Sequence, residues 1–167
     1  MPEWESIVNE HGPVVWRTTY RLLNHHADAC DCFQEVFLEA LELSRREEVR
    51  NWPGLLRKVA TRRALDRLRK RHCAASQHQS LERSPEPASA NPGPVEHAEM
   101  NELISRLRQG VAKLPAMQAD VFCLRCFEEM SYQEIAEELG IEPNSVGVLL
   151  HRARGQVGEW LKEAHDE

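Results

Sequence analysis

The sequence predicts an all-α protein built from two small helical domains joined by a flexible linker, and the prediction rests on pattern, punctuation and size. Apolar residues recur at helical spacing along both halves, and no stretch alternates with period two, so strands are not expected. Four of the nine prolines, Pro85, Pro87, Pro92 and Pro94, share with Ser76, Ser80, Ser84 and Ser89 a segment that has no apolar periodicity. The 167 residues, 41% hydrophobic and 29% charged, suffice for one ordinary domain or two small ones. Residues 74–98 therefore read as an extended linker between an N-terminal unit, 1–73, and a C-terminal unit, 99–167.

In the N-terminal unit, Pro13 can open a helix whose Trp16, Tyr20 and Leu23 recur at i, i+4, i+7. A second helix, from about Asp28 to Arg46, sets Phe33, Phe37 and Leu41 on one stripe, with Val36 and Ala40 beside it. After Pro53-Gly54 a third helix turns Leu56, Val59, Ala60, Ala64 and Leu68 inward, and Arg57, Arg62, Arg69 and Lys70 outward. In the C-terminal unit, Glu99 to Lys113 is amphipathic through Leu103, Leu107 and Val111, and Pro115 restarts the helix at its first position. Val121, Leu124 and Phe127 are spaced for a core face. Ser131-Tyr132-Gln133-Glu134 has the form of a capping box. The helix it opens ends at Gly140, and Pro143 begins another that carries Val146, Leu149, Leu150, Ala153 and Val157.

The net charge of -6 hides a polarity. Between Arg45 and Arg71 lie eleven Arg or Lys against three carboxylates, while the rest of the chain is acidic. One cationic band on an otherwise acidic chain suits contact with a polyanion on a single face and excludes indiscriminate coating of nucleic acid. No run approaches the roughly 18 apolar residues of a membrane span. The first residues lack the basic-then-apolar order of a signal peptide, so a cytoplasmic protein without membrane insertion is expected. Five cysteines, an odd number, argue for reduced thiols.

Helix, glycine-containing turn and a second helix with polar residues near its start form the pattern of a helix-turn-helix. Asn144, Ser145, Gly147, Val148 and His151 could face a major groove, with Arg152 and Arg154 placed for phosphates or a base edge. An αα-hairpin that only packs would show the same spacing. Asp28, Asp31 and Glu35, at i, i+3, i+7, put three carboxylates on one helical face.

These residues resemble a family. Leu114-Pro115, Gln118, Val121-Phe122, Leu124-Arg125, Ser131-Tyr132, Glu134-Ile135-Ala136, Leu139-Gly140-Ile141, Ser145-Val146 and Leu150-His151-Arg152-Ala153-Arg154 are similar to region four of bacterial sigma-70-type factors, in particular the small extracytoplasmic-function (ECF) group. Asp28-Ala29, Asp31, Gln34-Glu35, Val36-Phe37, Val59-Ala60, Ala64-Leu65-Asp66 and Leu68-Arg69 resemble region two. The resemblance implies a transcription initiation factor that binds core RNA polymerase, through the β′ clamp and β flap, and directs it to promoter DNA.

On that resemblance Asp28, Asp31, Gln34 and Glu35 dock on the β′ clamp coiled coil, with Cys30 standing where the family usually has an acid. The segment after Trp52 recognises and opens the −10 element, and its cations Arg57, Lys58, Arg62, Arg63, Arg67, Arg69 and Lys70 can hold phosphates of duplex and single strand. Asn51, Trp52 and Arg63 are candidates for the pocket of a flipped base, although the family's tryptophan there packs inward. Arg62 replaces an asparagine common in relatives. Asn144, Ser145, Val148, His151, Arg152 and Arg154 are the candidates for reading the −35 element. Val146-Gly147-Val148-Leu149 departs from the commoner valine, basic, small polar, arginine run and removes two cations from the groove face. Weaker −35 binding, or apolar contact with thymine methyls, is the expectation. The linker would thread toward the polymerase cleft. An anti-sigma protein is an expected partner, and the two halves are expected to be flexibly joined in solution.

The rival readings are two. Cys123-Leu124-Arg125-Cys126 has the C-x-x-C spacing of a metal or redox site, but no second such pair or H-x-x-x-H accompanies it. A helix-turn-helix regulator acting without stable polymerase binding leaves the acidic and basic helices of the N-terminal unit unexplained. No phosphate loop or nucleophile elbow suggests an enzyme, and neither metal nor cofactor is called for.

Overall fold

The computed structural model describes residues 3–77 and 95–166. Among these, every regular element is an α-helix: α1 (Trp4–Leu23), α2 (His26–Arg46), α3 (Trp52–Gln77), α4 (Val95–Lys113), α5 (Ala116–Cys126), α6 (Tyr132–Leu139) and α7 (Pro143–Asp166). Of the expected linker, residues 78–94 lie outside the described residues, whereas 74–77 continue α3 and 95–98 begin α4.

In the first unit α1, α2 and α3 pack on one another. Helix α1 begins at Trp4, nine residues before Pro13, which sits exposed inside it. A mid-helix proline removes one backbone donor, at a cost of roughly 3 kcal/mol. The turns on either side offset this by burying Ile7 and Val15. The buried face of α1 is accordingly Ile7, Val15, Thr18, Thr19, Leu22 and Leu23. Of the expected stripe only Leu23 is in the core; Trp16 is half-buried and stacks on the exposed Tyr20, with ring centroids 5.8 Å apart. The Thr18 hydroxyl donates to Val14 O at 3.0 Å and the Thr19 hydroxyl to Val15 O at 3.1 Å, so neither is left unsatisfied in the interior.

In α2 the fully enclosed positions are Ala29, Cys32, Val36 and Ala40, while Phe33 and Leu41 flank them. Small residues on that line let α2 approach closely, and the larger rings close the side. Helix α3 turns Leu56, Val59, Ala60, Ala64, Leu65 and Leu68 inward. Replacing the fully enclosed Leu65 by Ala is expected to destabilise the protein by about 3 kcal/mol. Urea unfolding should then show a lower midpoint at unchanged slope.

In the second unit α7 packs on α4, α5 and α6. The expected capping box is complete: Glu134 N donates to Ser131 Oγ at 3.1 Å, and Ser131 N donates to Glu134 Oε2 at 2.8 Å. Gly140 ends α6 at φ 66°, a left-handed conformation that glycine adopts without the Cβ penalty. Ile135, Ala136, Val146 and Leu150 are buried between α6 and α7 and hold the two helices at a fixed angle. Pro115 stands at the N-cap of α5, one position before the expected place. Leu103 is exposed because residues 98–105 of α4 stand clear of the neighbouring helices; α4 joins the core from Leu107 onward, with Gly110, Val111 and Ala112 buried.

The two units pack together. Helix α3 touches α4, α5 and α6, and one buried cluster runs from Ile7 to Val157. Arginines fasten the joint through backbone carbonyls. Arg108 Nε donates to Arg21 O at 2.7 Å and Arg21 Nη1 to Phe127 O at 2.6 Å, while inside the first unit Arg71 Nη1 donates to Leu23 O at 2.8 Å. The first and third of these supply donors to carbonyls in the last turn of α1, where intrahelical partners run out.

Candidate polymerase-docking and DNA-reading surfaces

The carboxylates of α2 divide by what they touch. Asp28 is half-buried and accepts from Arg71 Nη2 at 2.5 Å. Glu35 accepts from Arg67 Nη2 at 2.6 Å and lies 3.8 Å from Arg63, whose Nε donates to Glu39 at 2.5 Å. The hydrogen bond to Glu39 holds the Arg63 guanidinium above its ordinary pKa. Asp31 and Gln34, by contrast, are exposed, and Leu38 completes an i, i+3, i+7 ridge with them at 61% exposure. Beside this ridge Trp4, Val8, Phe33, Gln34, Phe37, Leu38 and Leu41 line an apolar groove of about 430 Å³. The groove went unread in the sequence. Leu38 was its signal, as the apolar member of an otherwise polar stripe.

The basic residues of α3 point three ways. Arg63 and Arg67 face α2 through the pairs above. Arg57 and Lys58 face the second unit: Arg57 Nε lies 3.8 Å from Glu128, and Lys58 Nζ donates to Glu138 O at 3.1 Å with the Glu138 carboxylate 3.9 Å away. Arg62 and Lys70 are exposed, and Arg69 is half-buried with Asp66 at 3.4 Å. Asn51 is exposed and its side chain accepts from Gly54 N at 3.1 Å, capping α3. Trp52 packs edge-on against Trp4, with centroids 5.5 Å apart.

On α7 the residues Asn144, Ser145, Val148, His151, Arg152 and Arg154 are all exposed along the first three turns, over the buried Val146, Leu150 and Ala153. Tyr132, at the start of α6, joins Pro143, Asn144, Gly147, Val148, His151 and Arg152 around a concavity of about 510 Å³. A Cβ at Gly147 would stand 3.6 Å from the Tyr132 ring, so the missing side chain opens an apolar notch between the ring and Val148. The Arg125 guanidinium lies 5.6 Å from the centroid of that ring.

Cys32 and Cys123 are buried thiols. Burial pushes Cys32 up to about 12, and burial likewise raises Cys123, so both stay protonated. Among the described residues no three or more His, Cys, Asp or Glu side chains gather in a way that could hold a metal ion. Among them, too, no helix is long and apolar enough to cross a membrane.

Comparison with known proteins follows the same division. Residues 7–72 match the model of "Sigma-70 region 2" and residues 104–157 that of "Sigma-70, region 4". An ECF RNA polymerase sigma factor, SigE of Mycolicibacterium smegmatis, is 28% identical over 167 residues, covering 100% of this chain. The chain spans 65% of that relative's length. The ECF sigma factor SigW of Bacillus subtilis is 25% identical over 165 residues, 95% of this chain and 88% of the relative. The sigma factor RpoE of Bartonella quintana, solved in complex with the anti-sigma factor NepR, shares the fold at a TM-score of 0.58 and 17% identity, over 97% of this chain and 98% of that one. With region two and region four matched in order, the protein belongs to the sigma-70 family, in its extracytoplasmic-function group.

Proposed function

We propose that the protein is a transcription initiation factor that binds core RNA polymerase and directs it to promoters, itself catalysing nothing. The reading is supported by one observation: a single chain presents both an acidic-apolar ridge, Asp31, Gln34 and Leu38, and a helix-turn-helix whose second helix carries exposed Asn144, Val148, His151 and Arg152. The ridge serves the β′ clamp, and Asp28 and Glu35 support it from behind through their arginines. Residues 99–167 serve the β flap and the −35 element, and residues 1–73 the −10 element. In the −10 contact, the cations of α3 neutralise phosphates and release counterions, while bases of the separated strand are held by stacking and shape. An anti-sigma protein, such as the one bound to the Bartonella relative, is the expected regulator.

The test is co-elution of the purified chain with bacterial core polymerase, followed by transcription from genomic fragments. Stoichiometric binding supports the reading. A folded chain that binds DNA but not a competent core would instead favour a helix-turn-helix regulator.

At the −35 element the notch between Tyr132 and Val148 is sized for an apolar group, and the thymine methyl is the one that the major groove offers. Replacing −35 thymines by deoxyuridine is expected to weaken promoter binding about fourfold per contacted methyl, or about 0.8 kcal/mol. Titration of the holoenzyme against the two promoters measures it. Equal affinities would remove the methyl contact.

A further inference from the structure

We propose that the notch between Tyr132 and Val148 receives the C5-methyl group of either methylated pyrimidine, 5-methylcytosine as well as thymine, so that methylation of a −35 cytosine strengthens promoter binding. The inference rests on the reading of α7 as the −35 helix and extends its methyl contact to a second base.

Three observations carry it. The first is a space of the right size. Tyr132 and Val148 are apolar side chains left 41% and 50% exposed, on different helices, around one concavity with Gly147. A Cβ on Gly147 would stand 3.6 Å from the Tyr132 ring, an ordinary contact distance, so one carbon fits the gap without displacing anything. Nor does the backbone require a glycine here. Gly140 is the one glycine with positive φ among the described residues, and glycine inside a helix is destabilising relative to alanine. Within the chain this glycine gains nothing; it leaves room for a carbon from outside.

The second observation is that the walls are fixed before any base arrives. Tyr132 opens α6 directly behind the capping box of Ser131 and Glu134. The buried Ile135, Ala136, Val146 and Leu150 lock α6 against α7. Arg125 donates to Met130 O at 3.1 Å and lies 5.6 Å from the centroid of the Tyr132 ring. A methyl that enters a preformed apolar site orders little of the protein, so more of its transfer free energy appears as affinity.

The third observation concerns the polar groups of the same concavity, Asn144, His151 and Arg152. Beside its methyl, thymine presents the O4 acceptor, where cytosine presents the N4 donor. 5-Methylcytosine combines the cytosine amine with a methyl on the same ring carbon as in thymine. The Asn144 amide carries both a donor and an acceptor, and an imidazole such as His151 serves as either according to its tautomer. Arg152 alone is restricted to donating. Two of the three polar groups therefore accommodate O4 and N4 alike, and the methyl is the feature by which the site sorts pyrimidines.

The experiment selects duplexes from a random library with the holoenzyme, and carries the full chain without polymerase through the same selection. Each thymine of the selected −35 site is replaced in turn by deoxyuridine to locate the contacted methyl. At that position thymine, uracil, cytosine and 5-methylcytosine are then compared by titration. Thymine over uracil, and 5-methylcytosine over cytosine, should each be favoured about fourfold, the transfer of one methyl. Both ratios should fall toward one in Gly147→Ala, whose Cβ takes the methyl's place, and in Tyr132→Ala, which lacks the wall. Tyr132→Phe should restore them, since the ring forms the wall. A residue that only supported the fold would lower all four affinities together and leave the ratios as they were. Unchanged ratios in both alanine variants would thus overturn the inference. So would thymine favoured over uracil with 5-methylcytosine equal to cytosine, which leaves the thymine contact standing. Thymine equal to uracil at every position would remove both. A chain that never binds polymerase, yet shows both ratios on the duplexes it selects alone, would overturn the initiation function and support the methyl site.

Discussion

Asp31→Lys is expected to abolish stable association with core polymerase while leaving the fold intact. Asp31 is exposed and stands on the ridge with Gln34 and Leu38, so a lysine there meets no packing obstacle. Opposing a charge at a docked interface costs about 2–5 kcal/mol, which is roughly 30-fold or more in affinity. Thermal unfolding of the variant should remain within about 0.5 kcal/mol of wild type. The same reversal at Asp28 or Glu35 would answer a different question. Those carboxylates hold Arg71, Arg67 and Arg63 inside the unit, so their reversal should lower stability as well as binding. Co-elution at matched concentrations, alongside unfolding curves, separates the two effects. An Asp31→Lys protein that still co-elutes with polymerase would move the docking face elsewhere.

Arg152→Ala with Arg154→Ala is expected to reduce promoter use strongly without touching polymerase binding. Both guanidinium groups stand exposed on α7, Arg152 beside His151 and Val148 around one concavity and Arg154 on another side of the helix, and Gly147 and Leu149 contribute no cation. With so few charges there, each should matter more than in a richer setting. A cation on a phosphate adds close to one unit to the salt dependence of binding, and one on a base edge adds about 1–3 kcal/mol of discrimination. The slope of log K against log salt should therefore fall by up to about two units if both reach phosphates. If Arg152 instead reads a base, the loss should concentrate at one position of the −35 element. Filter binding of the holoenzyme at several salt concentrations distinguishes these. Normal initiation by the double variant would place −35 recognition on other residues.

How much of this was legible depended on whether the signal was local. The capping box at Ser131, the left-handed Gly140 and the inward face of α3 follow from a few adjacent residues, and each stands as the spacing predicts. The start of α1 was not legible. Pro13 is a strong local opener, and the nine residues before it are held in the helix by packing of Ile7 and Trp4 on the other two helices. The acidic face of α2 was readable as a pattern, but its division into the internally paired Asp28 and Glu35 and the free-standing ridge was not, because it depends on arginines from Arg63 to Arg71 on another helix. The contact between the units was illegible for the same reason. Glu128 and Glu138 look like solvated surface charges until Arg57 and Lys58 are brought against them across a stretch of about 70 to 80 residues.

The Arg63–Glu35–Arg67 cluster makes α2 and α3 thermodynamically interdependent. A protein that draws the Glu35 carboxylate toward itself leaves two guanidinium groups with one fewer counter-charge, and their attraction for a polyanion rises. Linkage makes this reciprocal: a polyanion that captures those guanidinium groups frees Glu35 for the protein by the same free energy. Two weak ligands on opposite sides of one helix pair would thus reinforce each other, with no change in backbone required. The positive cooperativity should vanish in Glu35→Gln, even where each separate affinity changes little.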